Sequence, residues 1–204
     1  MKPRFRFCFT LDTEPDDLWS DHAVNRFEHF DRLVRFHHRL IDAGARATYL
    51  TTSEVADSEK ARKALDTCLQ TGTSELGAHF HVWTRTWPFP VPAARSPGGH
   101  MMAHELNQPL EERMLSFTCE ALHKTFGLRP RSYRGGRWSF APHTPLSLRN
   151  CGIEVDSTFT PGIRWHHGPD YRDASVFPNR LRPKPAPPWD RGGVLGCFGV
   201  NMTT

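Results

Sequence analysis

Ser74-Glu75-Leu76-Gly77-Ala78-His79-Phe80-His81-Val82-Trp83 sets two histidines two residues apart in an apolar run with no turn residue between them. Side chains two apart on a strand share a face. Leu76, Ala78, Phe80 and Val82 form an ordinary core face. Glu75, Gly77, His79, His81 and Trp83 fall on the other. Two neutral imidazoles brought together this way can bind one divalent ion. Taken alone, such a pair is more simply two half-buried strand histidines hydrogen-bonded to their neighbours.

The segments before this strand shift that balance. Phe5-Arg6-Phe7-Cys8-Phe9-Thr10-Leu11 alternates and reads as a strand, ending in the acidic cluster Asp12-Thr13-Glu14-Pro15-Asp16-Asp17. Phe27, Phe30, Leu33, Val34, His37, Leu40 and Ile41 recur at helical spacing, and Ala43-Gly44 stops the helix. Residues 45–52 read as a second strand, 58–70 as a helix closed by Gly72, and 75–83 as the histidine strand. This βαβαβ order implies a parallel sheet with crossover helices, in an α/β layer or barrel. Ligands bind at the carboxyl ends of such strands. Asp12, Glu14, His79 and His81 then share one rim, with the makings of a metal site and a general base. The plainer reading of Asp12-Thr13-Glu14 is a loop that caps the next helix. Asp16 and Asp17 read as solvated cap residues, either of which could stand in for Glu14.

Further on, residues 84–108 are rich in Pro, Gly and Trp and read as a loop excursion. An amphipathic helix is expected over 110–126, a strand at 132–134, a short helix at 144–150 and a strand at 154–157. Beyond Pro161 the pattern is irregular until the apolar run Val194–Val200. The 204 residues suffice for one domain with a real core. No apolar run approaches the ~20 residues of a membrane helix, and the start lacks the layout of a signal peptide, so the expected location is cytoplasmic. Five scattered cysteines with no CxxC pair read as reduced thiols, with Cys8 and Cys151 as small buried apolar residues. The net charge of +4 comes from 21 Arg and 5 Lys, dispersed without a basic stripe, and no nucleic-acid partner is expected.

In order along nearly the whole chain, these motifs resemble the polysaccharide deacetylases of carbohydrate esterase family 4, the NodB-homology domain. Phe9-Thr10-Leu11-Asp12-Thr13-Glu14 resembles the first motif, and Gly44-Ala45-Arg46-Ala47-Thr48-Tyr49-Leu50 the second strand. Residues 75–83 resemble the histidine motif. Arg131-Ser132-Tyr133-Arg134-Gly135-Gly136-Arg137-Trp138 falls where the family has its arginine motif, and Gly152-Ile153-Glu154-Val155-Asp156-Ser157 is similar to the strand with the next functional acid. The family's adjacent Asp-Asp is Asp-Thr-Glu here. Its histidines, usually four apart, are two apart, with Trp83 following. The fifth motif, a late strand with a leucine and a catalytic histidine, is not found.

The resemblance implies a distorted (β/α) barrel, incomplete at its C-terminal side, in a truncated chain or an incomplete reading frame. It implies hydrolysis of an N- or O-acetyl group on a carbohydrate, assisted by one divalent ion, zinc. Glu14, His79 and His81 would hold the ion, with Asp12 as base and Arg134 paired with it. Trp83, Arg137 and Trp138 would line the sugar groove, and Asp156 would orient Arg134 or touch substrate. His166 or His167 could supply an acid; His100 and His104, four apart in a loop, are not expected to be ligands. Two alternatives remain: an amidohydrolase-type enzyme acting on a small C–N substrate, and a non-catalytic carbohydrate-binding relative. The sequence does not set the oligomeric state.

Overall fold

Of the alternating first segment, residues 9–11 lie in a strand that runs on through Asp12, while residues 5–8 lie outside the described residues. In the computed structural model, which describes residues 9–16, 18, 25–83, 87–91, 95–96, 99–165, 170–173, 179–181 and 194–196, β1 spans Phe9–Thr13. Next come α1 (Phe30–Asp42), β2 (Ala47–Thr51), α2 (Ser53–Asp57), α3 (Glu59–Gln70) and β3 (Ser74–Phe80). A small antiparallel ribbon, β4 (Arg95–Ser96) with β5 (Gly99–His100), interrupts the expected loop. Then follow α4 (Gln108–Phe126), β6 (Ser132–Gly135), α5 (Thr144–Asn150), β7 (Val155–Asp156), β8 (Asn179–Leu181) and β9 (Val194–Gly196).

The main sheet runs β1-β2-β3-β6-β7-β9-β8. All neighbours pair in parallel except β8 with β9. This is the α/β architecture expected, a partial (β/α) barrel whose sheet is open among the described residues. Of the apolar run 194–200, only Val194–Gly196 is described, as a parallel neighbour of β7. Register aligns the functional positions. Asp12 lies level with Leu50, and Leu50 with Gly77, while His79 lies level with Arg134.

Helical periodicity buries the sheet. Phe30, Leu33, His37 and Leu40 of α1 face inward, as do Ala61, Leu65, Cys68 and Leu69 of α3. On α4, Met114, Leu115, Thr118 and Leu122 are fully buried. Asn107 Oδ1 accepts the Leu110 N–H to cap this helix, and Gly127 ends it with a left-handed φ of 70°. Among the described residues, no helix is long and apolar enough to cross a membrane. Cys68, Cys119 and Cys151 are free thiols, the first two buried; Cys8 lies outside the described residues.

A polar chain, buried at Tyr49 and His37, ties α1 to the sheet. Tyr49 donates its hydroxyl to His37 Nδ1 at 2.8 Å, and His37 Nε2 meets Thr71 Oγ1 at 2.9 Å. Thr71 donates its own proton to the Cys68 carbonyl, so Nε2 carries the imidazole hydrogen. Burial, and then the neighbouring His38, holds the His37 pKa below its usual value. The unfolded chain therefore takes up a proton near pH ~6.5 that the folded chain refuses, and stability falls as pH drops below that point. His37→Gln should cost about 1–3 kcal/mol at pH 7.5 but lose less than wild type on going to pH 5.5. Urea melts at the two pH values measure this; parallel acid losses would contradict it.

Candidate metal centre

β3 ends at Phe80, so the strand does not reach His81 and Trp83 as the alternation predicts. The physical reason lies on β6. Its Gly135 pairs with Phe80, and at Gly136 the chain leaves the sheet for a tight turn, Gly136–Trp138. A Cβ on Gly136 would sit 2.5 Å from the Phe80 carbonyl and 2.6 Å from His81 Nδ1. Only glycine lets the backbone lie against the His81 ring. His79 therefore reaches the rim by strand geometry, and His81 by the turn packed beside it.

Both rings are buried, at 2% and 3% exposure, yet their Nε2 atoms meet at 3.1 Å. Glu14 Oε2, one residue past β1, lies 2.9 Å from His81 Nε2 and 3.2 Å from His79 Nε2. His79 Nδ1 contacts the Arg134 carbonyl at 2.6 Å; a carbonyl can only accept, so Nδ1 carries the hydrogen. The Nε2 lone pair of His79 thus points at a carboxylate and another imidazole nitrogen. Such a cluster needs a cation. Ligands at ~2.0–2.1 Å from a tetrahedral zinc lie about 3.3 Å apart, close to the separations here. The donor set, two imidazoles and a carboxylate, fits a divalent ion. It is the one group of three or more such donors among the described residues.

Without an ion, protons supply the positive charge. Burial pulls the His79 pKa down, but Asp12, Glu14 and the Arg134 carbonyl outweigh it and push it up to about 9. Burial pushes Glu14 up, but His81 and His79 hold it well below the usual carboxylate range. Binding an ion must expel the His79 proton.

Asp12 stands beside this triad, with Oδ1 receiving Arg134 Nη1 at 2.7 Å. Arg134 is 1% exposed and fully engaged: Nη2 donates to Thr10 Oγ1 at 2.5 Å and Nε to the Ser157 carbonyl at 3.4 Å. Thr10 was not foreseen, although it lies two before Asp12 and shares its face. Asp156 makes no hydrogen bond to Arg134 in this arrangement. It is fully buried, with Oδ1 accepting the N–H and hydroxyl of Thr158 and Oδ2 unpartnered among the described residues. Burial pushes it up to about 6, against Thr158 and the Arg134 charge. It acts on Arg134 through charge alone and offers no surface to a substrate.

Trp83 is 7% exposed, donates to the Leu18 carbonyl at 3.3 Å and sets its ring edge-on to His81. Arg137 and Trp138 are partly exposed and both adopt φ of 53°, a left-handed backbone that costs non-glycine residues of order 1–3 kcal/mol each. Asp16 cannot replace Glu14, because His29 and the Glu28 N–H occupy its two oxygens. His104 is exposed and bound to Ser139 Oγ at 3.0 Å, apart from the triad. Asp17, His166 and His167 lie outside the described residues, as does the His100 side chain.

Known structures share this arrangement of elements. A Mycobacterium smegmatis crystal structure assigned as a polysaccharide deacetylase superposes with a TM-score of 0.62 at 18% identity, covering 96% of this chain. The BpsB deacetylase domain of Bordetella bronchiseptica gives 0.51 at 14% identity, over 76% of this chain and 64% of that one. The chain has the polysaccharide deacetylase fold. It spans 60% of the length of the Mycobacterium chain. No protein-family model and no curated protein sequence matches it.

Gly136→Ala should push His81 out of the cluster and weaken zinc binding by about 10–100-fold. Gly127→Ala, where φ is 70° and no atom lies near, should destabilise the chain and leave zinc affinity unchanged. Competition with a chromophoric chelator reads both; equal affinities would show that Gly136 does not set the site.

Proposed function

We propose that this chain is a metal-dependent hydrolase that removes acetyl groups from an acetylated carbohydrate. One observation carries the reading: a carboxylate clamped by a buried arginine, Asp12 on Arg134, stands beside a separate carboxylate–histidine triad. A purely structural metal site needs no second carboxylate held this way. The deacetylase fold favours acetyl groups on sugars as the substrate class.

Glu14, His79 and His81 would hold the ion, for which zinc suits the donor set. A divalent ion there supplies the charge that acidifies water and polarises an acyl carbonyl. The chain's residues do the rest. Arg134 fixes one Asp12 oxygen and leaves Oδ2 to take a proton from the attacking water, a general-base step worth roughly 10²–10⁴-fold. The buried guanidinium, tied also to Thr10 and Ser157, keeps Asp12 from swinging into the ligand cluster. The His79 hydrogen bond to the Arg134 carbonyl links the ligand set to the same strand, so base and ligands move together. Trp138 and Arg137 present partly exposed surface at the turn beside His81, where a sugar ring would lie.

Asp12→Asn should keep one equivalent of zinc but lose at least ~10²-fold in release of acetate from an N-acetylated oligosaccharide or a chromogenic acetyl ester. Loss of the zinc together with activity would make Asp12 a ligand and move the base elsewhere. Wild-type zinc protein that releases no acetate from either substrate would favour a carbohydrate-binding role.

A further inference from the structure

The turn that touches His81 is strained. Arg137 and Trp138 both stand in the left-handed region, and the Ser139 N–H to the Gly136 carbonyl closes the turn. His104 holds the Ser139 hydroxyl from upstream, and a segment downstream of β7 adds further restraints on Trp138 itself. Trp165 lies flat on Trp138, with ring centroids 3.6 Å apart and planes 3° from parallel. Tyr171 donates its hydroxyl to the Trp138 carbonyl. The Tyr171 ring packs on Phe159, which packs on Phe140, just past the turn. Thr158 Oγ1 accepts the Gly135 N–H at 2.9 Å.

The segment is itself braced. Gly162 N–H reaches the Tyr171 carbonyl, Tyr171 N–H the Ile163 carbonyl, and the Trp165 indole N–H reaches Thr160 Oγ1 at 2.7 Å. Trp165 is therefore oriented before it meets Trp138. Tyr171 is 7% exposed and so sits largely out of solvent. A strap with its own hydrogen bonds thus clamps a strained turn, and that turn lies against a ligand ring.

We propose that Trp165 and Tyr171 are positioning residues for the metal centre: their hold on Trp138 keeps Gly136 against His81 and so fixes the His81 Nε2 beside Glu14 and His79. This rests on Glu14, His79 and His81 being the ligand set. Neither residue belongs to any motif in the sequence, and neither touches the triad. Without the clamp, the turn moves toward ordinary backbone angles and the imidazole loses the wall that sets its rotation.

The test is zinc affinity by chelator competition in Trp165→Ala, Trp165→Phe and Tyr171→Phe, with the cobalt-loaded visible spectrum and thermal melts of each. Trp165→Ala and Tyr171→Phe should bind zinc about 10-fold more weakly, the scale of lost support around a ligand. Their cobalt bands should shift, while Trp165→Phe, which can still stack, recovers most of the affinity. Arg131→Ala, which breaks an exposed ion pair far from the turn, should change neither. Unchanged affinity and spectrum in Tyr171→Phe and Trp165→Phe, with Trp165→Ala either unchanged or unfolded, would overturn the proposal. If wild type binds no zinc, the ligand assignment fails instead. Histidine ring NMR of the metal-free variants then still decides the clamp: a His81 signal unmoved by Tyr171→Phe overturns it.

Discussion

Three donors crowd within hydrogen-bonding distance of one another at the rim of the sheet, and they cannot stay there uncharged. Glu14 and two buried imidazoles would repel or disperse without a cation among them. A proton on His79 serves in the metal-free chain, and a divalent ion fits the same space. The surrounding fold reads as the means of holding this costly arrangement together. β1 delivers the carboxylate, β3 one histidine, β6 a carbonyl that fixes the His79 tautomer, and the turn after β6 a glycine that admits the His81 ring.

The same strand β6 links the ligands to chemistry. Arg134 is level with His79 in the sheet, and its guanidinium reaches across to Asp12 and Thr10 on β1. Burying an arginine this deeply is tolerable only because every arm of the fork finds an acceptor. Asp12 is thereby separated from Glu14, although the two are only two residues apart. In the proposed function, one carboxylate would serve the cation and the other stay available for a proton. Such a division of labour between neighbouring acids is what hydrolysis at a metal centre asks of a protein.

Much of this was legible in the sequence because strand periodicity is local. Alternation marked the two strands, borne out over 9–11 and 75–80, and the strand–helix–strand order implied their parallel pairing and a shared rim for Asp12, Glu14 and His79. Alternation put His81 beside His79 for the wrong reason, since β3 ends before it and a glycine contact from the turn after β6 does the work. The five-residue helix α2 escaped notice because it is too short to show a period. Thr10 was within reach of the alternation argument and was passed over. The strap formed by residues 158–165 and 170–171 was not legible at all. Its residues look irregular, and what organises them is aromatic contact with a turn some thirty residues upstream. No local pattern encodes such a contact.

The central claim is that Glu14, His79 and His81 bind one divalent ion. X-ray absorption at the zinc edge of the loaded chain tests it most directly. The account predicts a low-coordinate site with two imidazoles and light oxygen donors at about 2.0–2.2 Å, and one imidazole fewer in His81→Ala. Sulfur scattering near ~2.3 Å, or an imidazole count that His81→Ala leaves unchanged, would contradict it.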